Sequence, residues 1–296
     1  MKVLVTGSEG FLGKHVCRAL QARGHAVVGL DSAPGAEIVA DIRNCPPSLK
    51  VLPIMKLDAI VHLAAVASPN ICTANPELAF SVNVLGTQQV LRLALESGAR
   101  KFVFSSSAHV YGVGPKYLPT DEYHPLFLQN TYTTTKILGE QLCQLFYDNH
   151  GLSYTVLRLF NAYGPGQARG YFIPDQIAKA EIAKAGKGWF ELQGRNVTKD
   201  WVYVTDVADA FVRAISSPFV GLLNVGTGVE TDLGNIASII ADAYQVDVEL
   251  FPVASPTRMC CDRARAEQVL GWRPTVNVQD GLDAIFSDAK ARSLVA

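Results

Sequence analysis

The first segment of this chain constrains its fold most, because an apolar run leads directly into a glycine-rich turn. Residues 2–6 read KVLVT, and residues 7–13 continue as GSEGFLG, with glycine at positions 7, 10 and 13. Glycines in such a turn let the backbone approach a pyrophosphate, which the positive N-terminus of the following helix attracts. The sequence therefore predicts a dinucleotide-binding turn between the first strand and the first helix.

Apolar segments after this turn alternate with segments of helical periodicity. The strand candidates are residues 26–31, 59–65, 101–107 and 153–160, and helices are expected over residues 11–23, 76–97 and 132–149. Strands that are apolar throughout and separated by helices form a parallel sheet that is covered on both faces. The predicted fold class is therefore α/β, a doubly wound parallel sheet of the Rossmann type.

After residue 167 this alternation loosens, and glycine and proline become frequent. We therefore expect a dinucleotide-binding domain over residues 1–165 and a smaller α+β substrate lobe over residues 166–296. The segments WVYV (201–204), with the helix after it, and LLNVG (222–226) are candidates to return to the main sheet. The first domain would then also take residues near 200–226.

The second strand candidate ends at Asp31, 18 residues after Gly13. A carboxylate there can accept hydrogen bonds from ribose hydroxyls and would repel the 2′-phosphate of NADP. Residues 29–32 contain no arginine to bind that phosphate, so the predicted cofactor is NAD. Asp41 and Ile42 are candidates to hold the adenine, although an aspartate in a turn is also ordinary turn chemistry.

Composition argues against several other classes of protein. The 296 residues include 26 Lys and Arg against 27 Asp and Glu, so bulk charge favours neither nucleic acid nor an anionic membrane. No apolar run approaches the roughly 20 residues that span a bilayer, and the start of the chain does not resemble a secretory signal. The six cysteines form no CxxC pair and the six histidines no HExxH pattern, so we expect no metal. We expect a cytoplasmic protein.

A series of further motifs follows the glycine loop. They are Asp41-Ile42-Arg43, HLAA (62–65), NVLGT (83–87), SSS (105–107) with VYG (110–112), Tyr132-x-x-x-Lys136, RLFNAYGPG (158–166), DWVYVTDV (200–207), NVGTG (224–228) and LGW (270–272). In these motifs and in their order the chain resembles the extended short-chain dehydrogenase/reductase family, in particular its nucleotide-sugar epimerase and dehydratase branch. The resemblance covers almost the whole chain.

Tyr132 and Lys136 lie one helical turn apart, so both side chains leave the same face of a helix. A lysine ammonium beside a phenol and an oxidised nicotinamide lowers the pKa of the tyrosine, which provides a phenolate base. The resemblance assigns Ser107, 25 residues before the tyrosine, to share the proton of the substrate oxygen. Ser107, Tyr132 and Lys136 are the predicted catalytic residues, although a YxxxK spacing alone also fits an ordinary surface helix.

The resemblance implies further site residues. The cofactor-binding candidates are Gly7, Gly10, Phe11, Leu12, Gly13, Asp31, Asp41, Ile42, Leu63, Ala64, Ala65, Asn83, Tyr132 and Lys136, and the substrate-binding candidates are Ser107, His109, Asn161 and Arg258. In this scheme Asn161 contacts the nucleotide diphosphate, Arg258 clamps a phosphate, and Asn83 supports the cofactor or the catalytic geometry. His109 fits either a second acid or base or a packed polar side chain.

The reaction depends on the two positions after Ser107. Dehydratases of this branch carry an acidic pair there, and decarboxylases keep a glutamate at the second position, whereas this chain has Ala108 and His109. A 4-epimerase needs no such acid, because the 4-keto sugar turns in the pocket and takes the hydride back on its other face. The predicted function is an NAD-dependent 4-epimerase of a nucleotide-diphosphate sugar, a UDP- or dTDP-hexose.

Three alternatives stay open. A 4-ketoreductase would use NADPH, which suits Asp31 poorly, a dehydratase would lack the acidic pair, and a non-catalytic NAD-binding protein would have no need of Tyr132 and Lys136. The segment 258–262 is several residues shorter than in relatives, so part of the substrate lobe differs. Family members commonly dimerise through two helices each, and helices 76–97 and 132–149 predict such a homodimer.

Overall fold

The computed structural model describes residues 1–43 and 56–293 of the chain, and side chains as far as residue 288. Cys45, one of the cysteines considered above, lies outside the described residues. The strands are β1 (Lys2–Thr6), β2 (Ala26–Asp31), β3 (Ile38–Val39), β4 (Ala59–His62), β5 (Lys101–Ser107), β6 (Ser153–Leu159), β7 (Asn161–Tyr163), β8 (Trp189–Gln193), β9 (Thr198–Tyr203), β10 (Gly221–Val225), β11 (Glu230–Asp232) and β12 (Asp247–Phe251).

The helices alternate with these strands through the first half of the chain. They are α1 (Phe11–Ala22), α2 (Pro69–Ala74), α3 (Pro76–Phe80), α4 (Thr87–Glu96), α5 (Thr131–His150), α6 (Phe172–Ala185), α7 (Val204–Ser216), α8 (Leu233–Tyr244), α9 (Ala264–Leu270) and α10 (Val278–Ser293). A π-helix, Ser81–Gly86, joins α3 to α4, and a 3₁₀ turn, Ala108–Tyr111, follows β5. The helix expected over residues 76–97 is thus built of three consecutive pieces.

Seven strands form one fully parallel sheet in the order β10-β6-β5-β4-β1-β2-β3. The chain begins in the middle at β1 and winds outward in both directions, which is the doubly wound arrangement. The predicted α/β fold of the Rossmann type is confirmed. LLNVG forms β10 beside β6, whereas WVYV belongs to β9, which does not pair with this sheet.

The central strands β4 and β5 are buried along their whole length because helices cover both faces of the sheet. On one face, α1 and α7 pack on residues such as Val3 and Val5 of β1, both 0% exposed. On the other face, α4 and α5 pack on Leu4 of β1 and Phe104 of β5. Neighbouring residues of one strand therefore enter opposite cores, and the helix α5 is fixed against the sheet.

The second half of the chain builds a smaller lobe around its own core. Strands β11, β9 and β7 form a three-stranded sheet, and β8 pairs in parallel with β12. Helices α6, α8 and α10 pack around Tyr163, Trp201 and Ile236. Within the described part of the chain, no helix is long and apolar enough to cross a membrane, and no group of potential ligands could hold a metal ion.

Candidate active site

A single cleft of about 910 Å³ contains most of the predicted site residues. It lies at the carboxyl ends of the parallel strands, where doubly wound sheets bind their ligands. The predicted residues that line it are Gly7, Gly10, Phe11, Leu12, Gly13, Asp31, Asp41, Ile42, Leu63, Ala64, Ala65, Ser107, His109, Tyr132, Lys136 and Asn161. Asn83 and Arg258 do not line it.

The glycine loop at one end of the cleft tolerates no side chain at two of its glycines. Gly7 has a φ of +73°, and a β-carbon there would lie 2.7 Å from the backbone nitrogen of Ala64. A β-carbon on Gly13 would collide with the carbonyl of Gly7. The loop is therefore packed against the residues after β4 and against the first turn of α1. Its other side lines the cleft.

The first turn of α1 is free to bind an anion. Gly10 is the N-cap and supplies no capping side chain, and the turn contains no acidic residue. The first backbone N–H groups of a helix have no partner within the helix, and the helix dipole adds positive potential there. This cradle of glycines and free donors fits the pyrophosphate of a dinucleotide.

Asp31 lies beside this loop at the end of β2. Its carboxylate accepts hydrogen bonds from the backbone N–H groups of Glu9, at 2.9 Å, and Ala33, at 3.0 Å. Each oxygen keeps a lone pair for a ribose hydroxyl, and the carboxylate faces the cleft. The local geometry thus fits an adenosine ribose that carries no 2′-phosphate.

Asp41, the adenine candidate, is held by a neighbouring arginine. The Arg43 Nε lies 2.9 Å and 3.0 Å from the two carboxylate oxygens, and Nη2 donates to Oδ2 at 2.5 Å. These hydrogen bonds keep the pKa of Asp41 below its usual value. Asp41 and Arg43 therefore form one ion-paired rim of the cleft.

The catalytic candidates lie at the other end, where β5 meets the start of α5. Asn130 caps α5, because its side-chain oxygen accepts the Thr133 backbone N–H at 2.9 Å. Helix α5 therefore begins at Thr131, and Tyr132 lies in its first turn. Tyr132 and Lys136 are buried, and the Lys136 Nζ donates to the Ser105 carbonyl at 2.8 Å.

The surroundings of Tyr132 and Lys136 favour their neutral forms. Burial lowers the pKa of Lys136 to about 8 and raises the pKa of Tyr132, while the Ser107 hydroxyl acts on the tyrosine in the opposite direction. The Lys136 Nζ lies 5.9 Å from the centroid of the Tyr132 ring. A phenolate at Tyr132 therefore needs positive charge beside it, which Lys136 and an oxidised nicotinamide would provide.

His109 occupies the 3₁₀ turn directly after β5. Its backbone N–H donates to the Ser107 hydroxyl at 3.2 Å, and its ring is perpendicular to the Tyr132 ring at a centroid distance of 6.3 Å. Burial, with a smaller effect from the Lys199 charge, lowers the pKa of His109. A neutral imidazole thus lies next to the catalytic candidates.

Asn83 is buried behind the cleft wall. Its amide oxygen accepts the Val66 N–H at 2.8 Å, and its Nδ2 donates to the Val66 carbonyl and to the Thr135 hydroxyl at 3.1 and 3.0 Å. These bonds join the π-helix to the loop after β4 and to α5. Asn83 therefore does not reach the cleft. Its hydrogen bonds instead hold Val66 and Thr135 in place.

Arg258 is directed to a different depression on the surface. It forms a bidentate ion pair with Glu230, with Nε donating at 2.9 Å and Nη2 at 2.5 Å, and its side chain is 61% exposed. The neighbouring residue Met259 lines the cleft instead. The segment 258–262 thus contributes the thioether of Met259 to the cleft, whereas Arg258, the expected phosphate clamp, lies outside it.

The part of the cleft around Asn161 includes residues that the sequence patterns did not single out. Tyr171, Phe172 and Trp201 form an aromatic wall, and Asn161 lies beside it with its Nδ2 donating to the Asp200 carbonyl at 3.0 Å. The side chain of Lys199, on the same strand as Trp201, has no hydrogen bond or ion pair with any described residue, although Lys199 is not among the residues that line the cleft. The aromatic residues in and near the RLFN and DWVYV motifs are the sequence feature that could have indicated this aromatic wall.

Known proteins resemble this chain over its whole length. The NAD dependent epimerase/dehydratase family matches residues 3–226. UDP-glucose 4-epimerase of Mycolicibacterium smegmatis is 34% identical over 95% of this chain and 96% of that protein. GDP-6-deoxy-D-mannose reductase of Pseudomonas aeruginosa is 31% identical over 98% of both chains. The crystal structure of Thermus thermophilus UDP-glucose 4-epimerase with NAD superimposes with a TM-score of 0.86 at 27% identity, over 98% of this chain and 99% of that one.

Proposed function

Because this chain belongs to the NAD-dependent epimerase/dehydratase family, we propose that it is a 4-epimerase of a UDP- or dTDP-hexose. NAD is the cofactor of the family, in agreement with the glycine cradle and Asp31. The observation that carries the proposal is the meeting of Ser107, Tyr132 and Lys136 in the cleft that contains this cradle. No carboxylate directly follows Ser107, so the acidic pair that dehydratases of this branch carry at positions 108 and 109 is missing.

The chemistry that bound NAD supplies is reversible acceptance of a hydride. Tyr132 removes the proton of the C4 hydroxyl while Ser107 hydrogen-bonds the same oxygen, and the Lys136 ammonium stabilises the phenolate. When the 4-keto sugar has turned over in the pocket, Tyr132 returns the proton. Tyr132 therefore acts as the base when C4 is oxidised and as the acid when the ketone is reduced.

The substrate end of the cleft suits a nucleotide diphosphate. Asn161 and the aromatic wall of Tyr171, Phe172 and Trp201 offer an amide and stacking surfaces. Lys199 provides an unpaired cation near His109, whereas Arg258 is occupied by Glu230. Within this proposal, Lys199 rather than Arg258 is the nearer cation for the phosphates.

A 4-ketoreductase is the second candidate, because a reductase is 31% identical to this chain. Its reaction would consume one reduced cofactor for each product, whereas an epimerase returns the hydride that it borrowed. The Asp31 carboxylate favours the epimerase, since it would repel the 2′-phosphate of NADPH.

We also propose a homodimer. Leu85 on the π-helix and Leu138 and Leu145 on α5 are 56%, 37% and 50% exposed, so an apolar face is open on the two elements that were expected to pair. Leu138 and Leu145 lie seven residues apart, on one side of α5. Sedimentation equilibrium of the wild type and of Leu145→Lys tests this, and a monomeric wild type contradicts it.

Label transfer tests the reaction. Enzyme with no more than one NAD per site is given UDP-glucose or dTDP-glucose that is deuterated at C4. We expect the 4-epimer to carry the label at C4, with no net absorbance change from reduced nicotinamide, and Tyr132→Phe to stop the transfer. Product that appears only from a 4-keto sugar, in proportion to added NADH or NADPH, would establish the reductase instead.

A further inference from the structure

The reaction end of the cleft contains one proton-transfer group that the epimerase reaction does not use. The titratable residues lining the described cleft are Glu9, Asp31, Asp41, Arg43, His109, Tyr132, Lys136 and Tyr171. Glu9 and the two aspartates lie at the β1–β3 side of the sheet. Three strand spacings separate β2 from β5, about 14 Å at the usual distance between strands. These carboxylates are therefore remote from Ser107.

Among the described groups near Ser107, His109 is the one that combines a ring without a hydrogen-bond partner and a nitrogen that can accept a proton. Lys136 donates to the Ser105 carbonyl, and burial raises the pKa of Tyr171. No described residue hydrogen-bonds the imidazole of His109. Burial lowers the pKa of this imidazole and so favours its neutral form. A neutral imidazole offers one acceptor nitrogen and one donor N–H.

The placement of His109 relative to Ser107 and Tyr132 is fixed. Its backbone bonds to the Ser107 hydroxyl, and its ring meets the Tyr132 ring edge to face at 6.3 Å. Ser107 and Tyr132 flank the position of the C4 oxygen in the proposed reaction. We place the carbons bonded to C4 in the space next to the imidazole, because the Ser107 hydroxyl and the Tyr132 ring, which flank the C4 oxygen, both lie against His109.

We propose that His109 removes a proton from a carbon adjacent to the C4 ketone, C3 or C5, and returns it, so that this hydrogen exchanges with solvent. The proposal rests on the proposed function, because it requires a 4-keto nucleotide sugar in the cleft. Hydrogens next to a ketone are acidic, whereas the same hydrogens in the 4-hydroxy sugar are not. The exchange would therefore occur only at the ketone stage.

The step balances without any oxidant or reductant. The C–H bond breaks, its proton moves to the acceptor nitrogen of His109, and its electron pair forms the enolate double bond, with the negative charge on the C4 oxygen. The Tyr132 hydroxyl donates a hydrogen bond to that oxygen. The imidazolium exchanges its proton with water and protonates the same carbon, which restores the ketone.

Exchange on a supplied ketone tests this step without any hydride transfer. UDP- and dTDP-4-keto-6-deoxyglucose are incubated with the NAD-loaded protein in D2O, and deuterium at C3 and C5 is followed by NMR against a sample without protein. We expect exchange at one of these carbons that exceeds the uncatalysed rate at least tenfold. His109→Gln, which keeps a polar side chain but no base, should reduce it by a factor on the order of 10² or more.

Two further variants separate chemistry from structure. His109→Glu supplies another base at the same place and should restore exchange to within about tenfold of the wild type, since a positioned base is worth on the order of 10² or more. His150→Gln, at the exposed end of α5, should leave the exchange rate unchanged. UDP and NAD affinities of His109→Gln, measured by calorimetry, show whether the variant still binds its ligands.

The outcomes distinguish this inference from the proposed function. A wild type that exchanges no faster than the sample without protein, or a His109→Gln variant that exchanges as fast as the wild type, overturns the role of His109. Absence of C4 label transfer from any UDP- or dTDP-hexose overturns the epimerase proposal, while exchange on the supplied ketone would still support His109 as a base.

Discussion

Arg158 on β6 and Glu140 on α5 form a buried bidentate ion pair. The Arg158 Nε donates to Oε1 at 2.9 Å and Nη2 donates to Oε2 at 2.6 Å, and each side chain is 2% exposed. The Ser106 hydroxyl donates to the same carboxylate at 2.5 Å. Glu140 lies one turn beyond Lys136, so the ion pair fixes the helix of Tyr132 and Lys136 to β6, and the Ser106 hydrogen bond fixes it to β5, the strand that ends at Ser107.

Removal of one partner should destabilise the fold strongly. In Glu140→Leu the Arg158 guanidinium stays buried without its counter-charge, which costs about 3–5 kcal/mol. We expect this loss in urea unfolding, together with a large decrease in kcat. The double variant Glu140→Leu/Arg158→Met should recover at least half of the stability, because no buried charge is left unpaired.

An exposed ion pair provides the control. Arg23 pairs with Asp209 at 2.8 Å, but the arginine side chain is 55% exposed. Arg23→Ala should cost less than about 1 kcal/mol and leave kcat unchanged. Equal losses in Arg23→Ala and Glu140→Leu would contradict the special role of the buried pair.

Tyr132→Phe should fold normally and bind NAD almost as the wild type does, but its kcat should fall by a factor on the order of 10²–10⁴, since a positioned acid and base is lost. Steady-state kinetics and calorimetric NAD binding measure the two quantities. Tyr123→Phe, at a residue that is 80% exposed, is the matched control and should retain full activity. Retention of more than a third of the activity by Tyr132→Phe would remove Tyr132 from the mechanism.

Lys136→Ala should raise the pKa that the pH profile of kcat reports. The ammonium favours the phenolate of Tyr132, so its removal moves the ionisation of the tyrosine to higher pH and lowers the rate at neutral pH. Burial lowers the pKa of Lys136 itself to about 8, so the wild type should lose this assistance as the pH rises above that value. An unchanged profile in Lys136→Ala contradicts the assignment.

The fold and the cofactor end of the cleft could be predicted because local patterns determine them. The glycines that admit no side chain at positions 7 and 13, and the apolar stretches within buried strands such as β1, reflect constraints that act over a few residues. Helix α5 starts and ends within one residue of the range expected from its periodicity. The family comparison confirmed the branch that these motifs indicated.

The proposed substrate end of the cleft and the buried ion pair behind it could be predicted less well, because different elements build them. Arg158 belongs to the RLFNAYGPG motif, but its pairing with Glu140 joins residues 18 positions apart on a strand and a helix. The direction of Arg258 depended on Glu230, on a strand of the small sheet. Such pairings follow from tertiary packing, and a single sequence contains no pattern for them.

Asp31→Gly combined with Ser32→Arg should shift cofactor preference from NAD toward NADP. The change removes a carboxylate that repels the 2′-phosphate and adds a guanidinium that binds it. Dissociation constants for both cofactors, from fluorescence titration, give the ratio. Asp31→Asn removes the charge but keeps one of the two acceptor oxygens that the Glu9 and Ala33 N–H groups use. It should weaken NAD binding without creating NADP preference.

A buried histidine makes stability depend on pH. The Thr87 hydroxyl donates to the Asn83 carbonyl at 2.6 Å, so the His62 Nε2 must donate to Thr87, and Nδ1 must accept from the Thr6 hydroxyl at 2.6 Å. This chain of hydrogen bonds requires the neutral imidazole. Burial, with the Lys136 charge adding to it, lowers the pKa of His62 to about 3.

An unfolded chain protonates this histidine near its ordinary pKa of 6.5, but the folded chain does so only near 3. Between these values the unfolded state binds one more proton, so stability falls as the pH falls, by up to about 1.4 kcal/mol per pH unit, and the full contribution is present above pH 6.5. We expect urea unfolding between pH 7 and pH 4 to show this slope in the wild type. His62→Gln should lower stability at pH 7 and flatten the dependence of stability on pH. His150→Gln, at an exposed residue, should keep the slope of the wild type. Parallel slopes in the wild type and in His62→Gln would show that another group controls the acid sensitivity.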